Sequence, residues 1–230
     1  ALTAQNNDAA NYNVAVGSSA GAAVSSGTAN TIIGGLAGDA LTTGSNNVAI
    51  GLSALSTDDV GSRSVAVGSN ALESQNTSTA ANIYNTAVGY GAGAAVTTGT
   101  LNTLVGGLAG DALTDGEANV AIGYGALGTE DQADANVAVG VNALATQNAG
   151  TSEAYNTAVG HNASRQVTTG TTNTLIGGLT GDALTEGPGN TMIGYGAGGA
   201  ETTGGNNVMV GQAGQAQLTV NDTVAVGHGA

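Results

Sequence analysis

Short apolar triplets, each framed by Asn and Gly, punctuate this chain at a nearly fixed step. The pattern Asn-[Val/Thr]-x-[Val/Ile]-Gly recurs thirteen times, its glycine falling at 17, 34, 51, 68, 89, 106, 123, 140, 160, 177, 194, 211 and 227. The residue before the glycine is always Val or Ile, and the residue three before it is always Val or Thr. Both positions are β-branched and the run is too short to form a helical stripe, so each copy reads as a short strand. Ala follows three residues after the glycine in most copies, and a second Gly, often as Thr-Thr-Gly, follows at ten. That second Gly suits a turn with positive φ.

A 17-residue unit cannot bury a face alone, whereas stacked copies pair strand on strand around one continuous core. The expected fold is all-β, a parallel β-solenoid with one coil per repeat. At about 4.8 Å per strand, thirteen coils predict a rod on the order of 60 Å long. Asn recurs four before the glycine at Asn13, Asn30, Asn47, Asn85, Asn102, Asn119, Asn136, Asn156, Asn173, Asn190 and Asn207, with Ser64 and Thr223 as the exceptions. Stacked in register, these amides are expected to bond to one another and to turn backbone as a structural ladder.

Alternate side chains of a strand face opposite ways. With the β-branched first and last residues of each triplet filling the coil, the middle residues (Ala15, Ile32, Ala49 and their equivalents through Ala225) are predicted to face outward against a second apolar surface. The natural surface is another copy of the chain.

A longer period overlies the short one. Three or four extra residues enter after every fourth coil, in ALESQNTSTAANIYN (71–85) and ALATQNAGTSEAYN (143–156). The chain is expected to form one solenoid domain over 1–230, with super-repeats over approximately 1–70, 71–142 and 143–213 and a remainder over 214–230. Neither end resembles a capping repeat, so more of the same fibre is expected on both sides.

Composition narrows the function. The chain carries 40 Gly, one Pro, no Cys, no Trp and no Phe, and its only cationic side chains besides two His are Arg63 and Arg165, against 16 acids. A net charge of −14 removes the counterion-release term of nucleic-acid binding and disfavours anionic membrane surfaces. No run reaches the roughly 20 apolar residues of a membrane span. The regular apolar triplets argue against disorder, and without cysteine there is no disulfide framework.

The stretches NVAVGSSA, NVAIGLSA and NTAVGYGAG resemble the head repeats of YadA-like trimeric autotransporter adhesins and the β-roll repeats of phage tail fibres. The resemblance covers essentially the whole chain. It implies a left-handed roll wound as a homotrimer, located extracellularly on a cell surface or virion appendage, and attached to matrix proteins through repeated surface motifs. The uniform 17-residue step and the Thr-Thr-Gly turns lie closer to the fibre proteins.

Little else points to chemistry. GGLAGDAL and GGLTGDAL place Asp39, Asp111 and Asp182 in turns like those of calcium-binding Gly-Asp repeats, but only once per four coils, whereas such sites need tandem copies. They read as solvated turn carboxylates. His161 and His228 occupy the same place as Tyr90, Tyr124 and Tyr195 and read as surface residues. No nucleophile elbow or metal-ligand spacing occurs, so no enzymatic activity and no cofactor are expected. The sequons at Asn76, Asn162 and Asn221 arise freely in so Asn- and Thr-rich a chain.

The inserts are the better functional candidates, because loops on a rigid scaffold commonly carry recognition. Glu73, Gln75, Asn76 and Tyr84 in the first, and Gln147, Asn148, Glu153 and Tyr155 in the second, are the candidate surface-recognition residues for a cell-surface glycan or matrix protein. They would recur about every 19 Å along the rod. A non-enzymatic fibre or adhesin segment is the leading expectation. A calcium- or ice-binding solenoid is the alternative, its ice-binding form weakened by the inward direction assigned to the Thr positions.

Overall fold

A computed structural model describes residues 1–5, 10–79, 81–150, 153–214 and 219–230. The chain divides into two compact units, Ala1–Asp115 and Gly116–Ala230. The first holds strands β1 (Val14–Val16), β2 (Thr31–Ile33), β3 (Val48–Ile50), β4 (Val65–Val67), β5 (Thr86–Val88) and β6 (Thr103–Val105). The second holds β7 (Val120–Ile122), β8 (Val137–Val139), β9 (Thr157–Val159), β10 (Thr174–Ile176), β11 (Thr191–Ile193), β12 (Val208–Val210) and β13 (Val224–Val226). Among the described residues there is no helix.

Each unit is a parallel β-solenoid with coils of about 17 residues. Within a unit every strand pairs with the next in sequence, triplet against triplet: Val14 with Thr31, Thr31 with Val48, Thr157 with Thr174. The inserts leave this register intact, since Val65 pairs with Thr86 and Val137 with Thr157. Coil-to-coil hydrogen bonding continues beyond the strands, as from Gly21 N–H to Ala37 O (2.9 Å) and from Leu36 N–H to Ser18 O (2.9 Å). Backbone donors around the coil are thereby satisfied by the adjacent layer.

The predicted direction of the strand faces is reversed. In β2 to β12 the middle residue is the buried one, while the first and last residues are half-buried or exposed. The reason is volume. A small coil closes best around Ala, Ile, Leu or Met from the strand middle, Ala three after the motif glycine and, in the coils that lack a buried acid or Gln there, an apolar residue seven after it, as at Ile32, Ala37 and Leu41. A second inward β-branched side chain from every strand would overfill it.

Packing also explains the four-coil period. Where the strand middle is large, as at Ile32, Leu104 and Leu175, the residue four after the glycine is Gly38, Gly110 and Gly181. Where it is Ala49, Ala66, Ala121 or Ala138, that place holds Leu55, Leu72, Leu127 or Leu144, all fully buried. The coil of β5 has neither, because a Cβ on Gly93 would sit 2.7 Å from Leu104 Cδ1 and 3.0 Å from Leu72 Cδ2. Its interior is filled by side chains from the coils on both sides.

The Thr-Thr-Gly glycine has a different cause from the one predicted. Gly44 lacks a positive φ; a Cβ there would run into the carbonyl oxygen of Gly61 in the next coil. Close stacking of turns, rather than a left-handed turn, requires it.

Candidate interaction surface

The Asn ladder is present, and its bonds go chiefly to backbone. Asn30 Nδ2 donates to Gly44 O (2.9 Å) at the end of its own coil, while Asn30 Oδ1 accepts from the backbone N–H of Asn47 (2.9 Å) in the next. Asn13, Asn156, Asn173, Asn190 and Asn207 make the same pair of bonds. Asn47 donates to Gly61 O and accepts from Ser64 N–H; Asn85 donates to Gly99 O and accepts from Asn102 N–H. Asn119 bonds to Ala133 O and to the backbone N–H of Asn136. Each amide closes one coil and anchors the next. Direct amide-to-amide bonds join Asn119 to Asn136 (3.2 Å) and Asn156 to Asn173 (3.1 Å).

Two residues expected on the surface lie inside. Gln75 and Gln147 are fully buried. Gln75 Nε2 donates to Asp58 Oδ2 (2.6 Å) and to Ser64 Oγ (2.9 Å), and its Oε1 accepts from Asn85 Nδ2 (3.0 Å). Gln147 Nε2 donates to Asn136 Oδ1 (3.0 Å) and its Oε1 accepts from Asn156 Nδ2 (3.1 Å). Each Gln therefore bridges the ladder residues before and after an insert. A recognition role for these two side chains is excluded by burial, and the physical cause is the extra chain length that the ladder must span.

The other candidate recognition residues are on the surface. Glu73 is half-buried; Asn76, Tyr84, Asn148, Glu153 and Tyr155 are exposed. Asn76 Nδ2 donates to Thr57 O (3.2 Å). Arg63 Nη1 donates to the Tyr84 hydroxyl (2.6 Å), with the guanidinium 5.6 Å from the ring centroid. In the second unit, the hydrogen bond to Glu153 raises the Tyr155 phenol above its ordinary value. Ala80, Thr151 and Ser152 lie outside the described residues.

Sequence reasoning missed three buried acids, two of them one coil before the Gln positions. Asp58, Glu130 and Glu201 are fully buried and cap the turn of their own coil: Asp58 Oδ1 accepts from Gly61 N–H (2.9 Å), Glu130 Oε1 from Ala133 N–H (2.9 Å) and Glu201 Oε1 from Gly204 N–H (2.7 Å). Burial pushes the Asp58 carboxyl above its ordinary value, against the bonds from Gln75 and Gly61. The available signal was the residue seven after the motif glycine, which reads Val, Leu, Asp, Gln, then Val, Leu, Glu, Gln, then Val, Leu, Glu, Leu along the chain.

Asp39, Asp111 and Asp182 are half-buried turn residues, and desolvation raises the carboxyl of Asp111. Among the described residues no three His, Cys, Asp or Glu side chains gather at a metal-binding distance, and no enclosed cavity is present. His161 and His228 are exposed. No described helix is long and apolar enough to cross a membrane.

What remains is the outward face of each sheet. Its rows are the first and last residues of the triplets, Val or Thr beside Val or Ile. Ile33, Val88, Ile122, Ile176 and Ile193 each leave 37–39% of their surface exposed. None of the thirteen triplets contains a charged residue. No protein-family model, curated protein or solved structure matches this chain.

Proposed function

We propose that this chain is a segment of a non-enzymatic extracellular fibre, carried on a cell surface or a virion, whose solenoid supplies reach and whose copies join through the outward sheet face. The observation that supports this is the segregation of charge: a chain of net charge −14 keeps every triplet uncharged. Like-charged chains can meet there with little electrostatic cost, and apolar rows are released from water. The resemblance to adhesin heads and tail fibres favours a left-handed homotrimer. The exposed insert residues then repeat on each copy, so weak contacts with a glycan or matrix protein add through effective concentration.

The test is sedimentation equilibrium of the chain beside an Ile176→Asp/Ile193→Asp variant. Trimeric mass for the parent and monomeric mass for the variant, with equal circular dichroism, support the reading. A parent that stays monomeric at high concentration overturns it.

The outward Thr rows favour a second reading. Thr157, Thr174 and Thr191 stack on three successive strands beside Val159, Ile176 and Ile193, and the inward direction that weakened ice binding does not hold. Thermal hysteresis in dilute solution would select that reading over self-association.

A further inference from the structure

The aromatic side chains of this chain have a single address. All six are tyrosines. Tyr12, Tyr84 and Tyr155 stand just before the ladder residue, and Tyr90, Tyr124 and Tyr195 just after the motif glycine, so they flank the two ends of a sheet strand. All are exposed, from 48% at Tyr84 to 79% at Tyr12. None contributes to the core. The ring of Tyr195 lies against the neighbouring coil at Gly178, where a Cβ would meet its Cδ2 at 3.5 Å, and Leu52 lies against Gly35 in the same way. At these two coils the flanking side chain stacks on the glycine of the coil before it.

Area leaves room for the flanks to take part in association. Six strands in the first unit and seven in the second, at about 4.8 Å each and three residues of about 3.3 Å, give the triplets of one chain a summed plan area of roughly 620 Å². A stable interface takes about 800 Å² from each partner, and tyrosine is among the residue types enriched there.

The triplets also cannot choose a register. Val or Thr and then Val or Ile repeats on every strand, so a copy displaced by one coil would meet an equivalent surface, the situation in which strand pairing slips. From coil to coil the outward triplet positions change only between Val and Thr, which share a shape, or between Val and Ile, which differ by one methylene, whereas the flanking positions range from Gly to Tyr. Tyr12, Tyr84 and Tyr155 recur every four coils, as do Leu52, Tyr124 and Tyr195, with Gly35, Gly107 and Gly178 one coil ahead of the second set.

From this we infer that the partner on the sheet face is a second copy of this chain and that the flanking tyrosines set its register, rejecting one-coil displacements. The inference rests on the self-association proposed above. It assigns the six tyrosines a role in specificity that the strand rows cannot fill.

The absence of cysteine permits a clean experiment. Thr86→Cys chains and ¹⁵N-labelled Thr103→Cys chains, on neighbouring strands of the outward face, are mixed and oxidised to disulfides, which need Cα atoms within about 7 Å, and products are separated by mass. In the parent background each chain joins its own kind. With all six tyrosines changed to Ser, association persists and the mixed 86–103 product rises several-fold. Mixed product already abundant in the parent, or still scarce in the serine variant, overturns the register role while leaving self-association standing. A parent that sediments as a monomer removes both.

Discussion

The residue just before each ladder position adopts φ between 51° and 66° at every non-glycine site, from Tyr12 through Asp222. This left-handed conformation costs an L-residue about 1–2 kcal/mol, most for a β-branched one. Thr172, at φ 58° and exposed, carries the largest strain. Thr172→Gly is expected to raise stability by about 0.5–1 kcal/mol after the entropic cost of glycine, read as a shift in urea midpoint. The ladder behaves oppositely. Asn190→Ala would strand the carbonyl of Gly204 and the N–H of Asn207 in the interior, costing about 2–5 kcal/mol by the same measurement. Asp58 adds a pH dependence. Because its folded carboxyl is raised, the folded chain holds that proton more tightly than the unfolded one. Its contribution to stability is full below the ordinary aspartate range and is lost as pH rises through the shifted value. Replacing it by the Leu that neighbouring coils use, Asp58→Leu, should flatten that part of the melting-temperature profile. The Asn pattern was legible because it recurs at fixed spacing; the left-handed sites were not, since Tyr, Ala, Leu, Arg and Thr share no chemistry that announces a positive φ.

At the scale of the strand and coil, the period and the parallel register could be read directly from the spacing of Val, Ile and Gly. The direction of the faces could not. Val14-Ala15-Val16 is apolar throughout, so alternation offers no contrast, and only the volume available inside the coil decides that the middle side chain turns in. The same volume makes Leu104 a sensitive position: it fills its own coil and the space over Gly93. Leu104→Ala is expected to cost about 3–5 kcal/mol by chemical denaturation, at the upper end for a cavity that its neighbours cannot collapse into. The insert residues divided for a related reason. Gln75 and Gln147 belong by position to the coil interior, seven after their motif glycine, whereas Asn76 and Asn148 next to them project outward.

For the whole molecule, the interior is buried and the outer sheet rows carry no charge, so the proposed self-association falls on side chains that folding does not need. Changes to Ile176 and Ile193 should abolish association and changes to the exposed tyrosines should alter only its register, both leaving the thermal transition nearly unmoved, a contrast that calorimetry, sedimentation and cross-linking read together. The alternation of bulk within the core has an evolutionary corollary. Removing residues 35–51 would splice Ile32 into the same coil as Leu55, two large side chains where one fits, whereas removing residues 35–106 joins Ile32 to Gly110 and restores the native complement. At this place in the chain the smaller deletion is therefore the more damaging one, whereas removing residues 52–68 would join Ala49 to Leu72 and leave the complement of that layer unchanged.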